Sequence, residues 1–208
     1  MSLVADPSPG NDRGAAPPDR DAMPRLELLA EPPASLRLEG AVFLRAEYRE
    51  PWAYRSMPAR ATAEFLHPGS ERVLLFHVVT RGSCWVAVDD GERHWASAGD
   101  VIVLPYGDEH VMGGVEHAEV VPIASFMPEP PWSRLPVLRH GADGSPTDVV
   151  CGYLHSRDPL FDPHLRALPP VFVVRPLPGP AAERVHANVA YALEHTAATP
   201  APIAARLA

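Results

Sequence analysis

Twelve consecutive residues decide the fold of this chain: Gly99-Asp100-Val101-Ile102-Val103-Leu104-Pro105-Tyr106-Gly107-Asp108-Glu109-His110. Gly99 lets the backbone turn sharply into a strand, because a residue without a Cβ reaches angles that others avoid. Val101 to Leu104 is apolar at every position, as in a strand covered on both faces. Pro105 and Gly107 then force a tight turn that re-aims the chain. His110 opens the return strand. The reading is strand, turn, strand, with an imidazole at a fixed point beyond the turn.

Outward from this stretch, short apolar runs alternate with turn signals. The stretch from Leu36 to Tyr48 reads as the first strands, and Leu74–Thr80 is apolar and β-branched. Arg81-Gly82-Ser83 turns the chain into Cys84–Val88, and Asp89-Asp90-Gly91 turns it again into His94–Ala96. Val115–Phe126, Asp148–His155 and Pro170–Arg175 supply further extended pieces. Many short strands at this spacing predict an all-β sandwich or barrel. The segment 127–147, rich in Pro, Gly and Asp, reads as a long surface loop. Residues 1–24 carry five prolines and no apolar period, which predicts a flexible arm. After Pro180, Val185, Val189, Ala192 and Leu193 recur at helical spacing, with Glu183, Arg184, Asn188 and Glu194 opposite. Thr199-Pro200 then reads as the start of another helix, in which the chain stops at Ala208, as a truncated end would.

Composition excludes several classes. The 208 residues suffice for one core, and 46% hydrophobic with 21% charged residues is ordinary for a globular domain. The formal charge of -8, without a basic cluster, disfavours nucleic-acid binding by this chain itself. No apolar run reaches the roughly 18 residues of a membrane span. The first residues lack the basic patch and apolar run of a signal peptide, so a cytoplasmic address is expected. Cys84 and Cys151 are then thiols rather than a disulfide scaffold.

The Gly99–His110 stretch is similar to the second cupin motif: Gly, five residues, Pro-x-Gly, two residues, His. The first cupin motif is degraded, since the position of its usual Glu falls on Leu75 and the His-x-His pair is missing, with only His67 nearby. The wider string more closely resembles the N-terminal cupin domain of AraC-type bacterial transcription regulators. It includes Pro51-Trp52-Ala53-Tyr54-Arg55, Phe76-His77-Val78-Val79, Gly82-Ser83-Cys84-Trp85-Val86 and Val150-Cys151-Gly152-Tyr153, continuing through Asp158-Pro159-Leu160 and Leu168-Pro169-Pro170 to Arg175. The resemblance spans roughly residues 42 to 175, and the stretch between Arg55 and Leu75 is longer than the family pattern. It implies a double-stranded β-helix, the cupin jelly-roll barrel, over 25–178. The helical segment 179–208 would form homodimers, and a small-molecule effector would bind in the barrel. DNA would be reached only through a helix-turn-helix module absent from this chain. No catalytic residue is implied. A stand-alone metal-dependent cupin enzyme, a dioxygenase or isomerase working at His77 and His110, is the alternative.

Strand alternation places Leu75, His77 and Val79 on one face, and Cys84, Val86 and Val88 on one face across the hairpin, so His77 and Cys84 would point into the barrel near one another. With His110 from the motif and Cys151 from a neighbouring strand, His77, Cys84, His110 and Cys151 make a two-His, two-Cys set, the ligand chemistry of tetrahedral zinc. Four protein ligands leave no open position, so such a zinc is structural or sensory. A variant replaces one thiol with water or a small ligand. The plainer reading is that each Cys packs as a small hydrophobe and each His satisfies a carbonyl. Trp52, Trp85 and Trp95 read as packing residues. His94, His117, His140, His155, His164, His186 and His195 read as solvated.

Overall fold

A computed structural model describes residues 39–128, 132, 135–177, and positions 179, 180, 183, 184, 187, 205 and 206. Residues 1–24, the start of the predicted first strand before Glu39, and most of the predicted C-terminal helices lie outside them; of those helices, Pro180, Glu183, Arg184 and Ala187 have helical backbone. Among the described residues, no helix is long and apolar enough to cross a membrane.

The elements are β1 (Glu39–Arg49), β2 (Ala53–Arg55), α1 (Ala59–Leu66), β3 (Leu74–Arg81), β4 (Ser83–Val88), β5 (His94–Ser97), β6 (Val101–Leu104) and β7 (His110–Gly113). They continue with β8 (Val121–Pro122), β9 (Val137–Gly141), β10 (Pro146–His155), β11 (Phe172–Val174) and β12 (Ala205–Arg206). One sheet runs β11-β6-β3-β10-β1, with β12 and the parallel β9 sharing the far edge of β1. The second runs β5-β4-β7-β2-β8. Period-two alternation then sorts the side chains. Leu75 and Val79 on β3, Val149 and Cys151 on β10, and Cys84, Val86 and Val88 on β4 enter one core between the sheets. Val78 and Val150, of opposite parity, form a second cluster on the outer face of the first sheet, joined by Val42. The register of β1 shifts between Val42 and Leu44, a bulge that moves Val42 to the outer face while Phe43 and Leu44 both enter the core.

The Gly99–His110 stretch forms as read. Gly99 (φ 95°) turns the chain into β6 and donates its N–H to the Val79 carbonyl at 2.8 Å. Gly107 has φ 61°, and a Cβ there would lie 2.4 Å from the Val73 carbonyl oxygen, so the turn admits no larger residue without displacement. Asp108 and Tyr106 fasten the tail to this turn. The Asp108 carboxylate accepts from Arg72 at 2.9 Å and Arg166 at 2.6 Å. The buried Tyr106 hydroxyl donates to the Leu168 carbonyl at 3.2 Å and accepts from the Leu168 N–H at 2.8 Å. Tyr106→Phe keeps the ring and removes both bonds. It is expected to destabilise by about 1–2 kcal/mol in urea titration, with faster proteolysis near Leu168.

Two sequence readings need correction, and a stretch without an assigned element gains one. The run Val115–Phe126 is mainly irregular, with two-residue β8 and a 3-10 turn at Ile123–Ser125, because Pro122 interrupts it. The predicted loop 127–147 contains β9, whose Leu138 is 1% exposed in the core beside β1. The stretch 56–73 holds α1, which buries Thr62, Ala63 and Leu66 at helical spacing. His140 and His155 are also more than solvated. His140 stacks on Phe126 at 4.4 Å, and His155 stacks on His67 at 4.8 Å.

Candidate ligand cavity in the barrel interior

Inward alternation on β3 points His77 into the barrel, and its cross-strand partner on β10 is Cys151. Directly opposed residues bring side chains close, and here His77 Nδ1 lies 2.8 Å from Cys151 Sγ. His110 arrives from the second sheet at the start of β7. Its backbone exchanges bonds with Ser56, N–H to Oγ and carbonyl to Ser56 N–H, both at 2.9 Å. The ring centroids of His77 and His110 are 5.3 Å apart. Tyr54 of β2 packs edge-on to His110 at 6.5 Å, and its hydroxyl reaches Met112 Sδ at 3.1 Å. Tyr48 of β1 lies in the same layer, with Trp52 stacked on it at 4.1 Å.

His77, His110 and Cys151 line a cavity of about 30 Å³. Its remaining walls are largely apolar, including Phe43, Leu44, Leu75, Ile123 and Phe65 of α1. That room matches roughly one water molecule. Both Nε2 atoms, of His77 and of His110, are buried with no hydrogen-bond partner among the described residues. The Nδ1 of His110, by contrast, is held by the Asp108 carbonyl at 3.0 Å.

Burial sets the charge state of this interior. Loss of solvent brings His110 down to about 4, against the weaker opposing pull of Asp108. Loss of solvent, and then the neighbouring His110, drives His77 well below its usual value. Burial pushes the Cys84 thiol up to about 12, with Asp100 and Glu50 adding to it, and pushes Cys151 up as well. Tyr48 and Tyr54 are raised for the same reason. The interior is neutral at pH 7.

The four residues read as zinc ligands are all buried; three of them, His77, His110 and Cys151, line the cavity, and Cys84 does not. β3 and β4 are not a hairpin. The chain crosses at Gly82 from one sheet to the other, so Cys84 pairs with Ala96 rather than facing His77, and it does not line the cavity. Two ligands on a tetrahedral zinc with ordinary bond lengths stand roughly 3.5 Å apart, and Cys151 Sγ is closer than that to His77 Nδ1. Among the described residues, no three His, Cys, Asp or Glu side chains gather as a metal requires. The side chains do not fit a closed zinc centre. Sequence reasoning missed Tyr48, Tyr54, Ser56 and α1. Tyr48 could have been found, since it continues the inward alternation of Leu44 and Ala46.

A comparison with curated protein sequences finds no match. Among solved structures, the chain is similar to the protein YhaK from Escherichia coli, with 15% identity and a TM-score of 0.35. The match covers 70% of this chain and spans 44% of that protein's length. A model of the cupin family matches residues 28–202, most of the sequence. With the two-sheet barrel and the Gly99–His110 turn in place, the chain belongs to the cupin family.

Proposed function

We propose that this barrel is the effector-sensing and dimerisation domain of an AraC-type bacterial transcription regulator, acting in the cytoplasm. The observation that supports it is the cavity: a largely apolar pocket whose lining, among the described residues, carries two buried imidazole nitrogens without partners and no carboxylate. Unpaired buried polar atoms are costly unless something completes them, so the site is built to receive a group. No carboxylate lines its wall, and burial keeps the Cys151 thiol protonated beside His77, which favours receiving over bond-making. Bound effector would act by favouring one arrangement of two subunits over another. The amphipathic pattern of Val185, Val189, Ala192 and Leu193 supports helical pairing of two chains, with DNA contacted through a separate module.

Sedimentation velocity tests the assembly. The 208-residue chain is expected to sediment as a dimer, and a chain ending at residue 178 as a folded monomer. A monomer from the longer chain at tens of micromolar would remove dimerisation from the reading.

A further inference from the structure

We infer that the turn Pro105–Glu109 is a relay, which passes a change at the His110 ring to the tail at Arg166–Leu168. The relay rests on the effector-sensing reading and supplies the route by which that same site would be read from outside the barrel.

Asp108 is bonded in two directions at once. Its backbone carbonyl faces Nδ1 of His110 at 3.0 Å. A carbonyl can only accept, so the hydrogen of this ring sits on Nδ1. The Asp108 carboxylate meets Arg166 at 2.6 and 3.4 Å and Arg72 at 2.9 Å, and such charge-assisted bonds are the strong ones. A rotation of the His110 ring takes the carbonyl with it or breaks the bond. Either outcome disturbs the residue whose side chain holds the tail.

The turn has little room to absorb that disturbance. Gly107 is pressed against the Val73 carbonyl, and Arg72 also donates to the Tyr106 carbonyl at 3.3 Å. Tyr106 in turn grips Leu168 through both its N–H and its carbonyl. The Arg166 guanidinium lies over the Tyr106 ring at 4.7 Å. Both ends of the turn therefore hold the same three residues of the tail.

The tail supplies an element with two arrangements. Arg166 has φ 46°, in the left-handed region that sterics disfavour for a residue with a Cβ. Such a conformation persists only while its surroundings over-determine it, and here the Asp108 clamp does so. Loosening the clamp lets Arg166 return to an ordinary φ, which redirects the chain entering Leu168. From there the chain runs into β11, paired with β6, and on toward the segment proposed to join two subunits. An occupant that favours one setting of the His110 ring would thus favour one setting of the tail.

Hydrogen exchange of the Leu168 amide, followed by NMR in the full chain, tests this, with the amides of β10 as the reference for global opening. His110→Phe keeps a ring and removes the Nδ1 donor, and it is expected to speed Leu168 exchange about tenfold. His110→Asn, whose amide nitrogen can stand where Nδ1 stands, should restore most of the protection. Cys151→Ala alters the same cavity from β10 and should leave Leu168 unchanged. Arg166→Gln should also speed Leu168 about tenfold, and combining it with His110→Phe should add little, because both break one path. Independent sites would instead multiply to about a hundredfold, and that result overturns the relay. It is equally overturned if Leu168 does not respond to His110→Phe, or responds no more than the β10 amides do. An effect of Cys151→Ala as large as that of His110→Phe overturns it too. Should His110→Phe fail to fold, the reciprocal measurement decides: Arg166→Gln must speed exchange of the His110 Nδ1 hydrogen, and an unchanged rate removes the relay. No effector enters these measurements, so their failure leaves the effector reading to the sedimentation experiment.

Discussion

Acidification from pH 7 to pH 4 is expected to remove about 3 kcal/mol of folding stability through His110 alone. The folded protein holds this imidazole neutral down to about 4, chiefly because burial strips its water, whereas the unfolded chain takes up the proton near 6.5. The unfolded state thus gains protons first as pH falls. Stability is full above about pH 6.5, drains through the interval below it, and is lost once the pH reaches about 4. His77 is shifted in the same direction and packs against His110, so it acts with the same sign. Urea unfolding at several pH values measures the slope. His110→Gln should flatten it across that interval, whatever its effect at pH 7. An unchanged slope in the variant would mean that His110 is not the group being titrated.

Trp52→Ala is expected to be the most damaging single truncation in the core, at about 3–5 kcal/mol. The indole is 1% exposed and lies flat on Tyr48, with Tyr54 on a further edge at 6.2 Å. Its removal empties a site between the sheets that the short β2 cannot collapse to fill. Against the 5–15 kcal/mol typical of a domain, that loss is a large share of the total. Trp52→Phe separates volume from hydrogen bonding. Among the described residues, the buried Nε1 of Trp52 has no hydrogen-bond partner, so Phe retains aromatic packing and abandons no bond there. The midpoint of urea denaturation should fall far less for Phe than for Ala. Equal losses would show that the ring's width, rather than its burial, is what the sheets require.

The parts of this barrel legible in the sequence are those fixed by local chemistry. Gly99, Pro105 and Gly107 determine a turn from within a few residues, and β6 and β7 begin at the expected Val101 and His110. Alternation put Leu75, His77 and Val79 on one inward face, and Cys151 beside them, because period two is intrinsic to a strand. What failed depended on which strands pair. Cys84 faces inward as read, but Gly82 switches the chain between sheets, and a turn signal does not say whether the next strand pairs or crosses. β9 was hidden because its parallel partner, β1, lies some 90 residues earlier, Arg45 against Val137. His140 and His155 stack on rings brought from elsewhere in the chain, a proximity that no spacing reveals.

The adjoining of β1 to β10 bears on the order in which the molecule is made. Leu44 pairs with Cys151, so the centre of the larger sheet joins the two ends of the barrel sequence. The smaller sheet needs only residues between Ala53 and Pro122. Long-range pairing of this kind slows folding, since a loop of about a hundred residues must close before its contacts stabilise anything. On a ribosome, the strands carrying His77 and His110 emerge first and wait. The cavity acquires its Cys151 wall only when β10 arrives, and until then two imidazoles and an apolar sheet stand open to water.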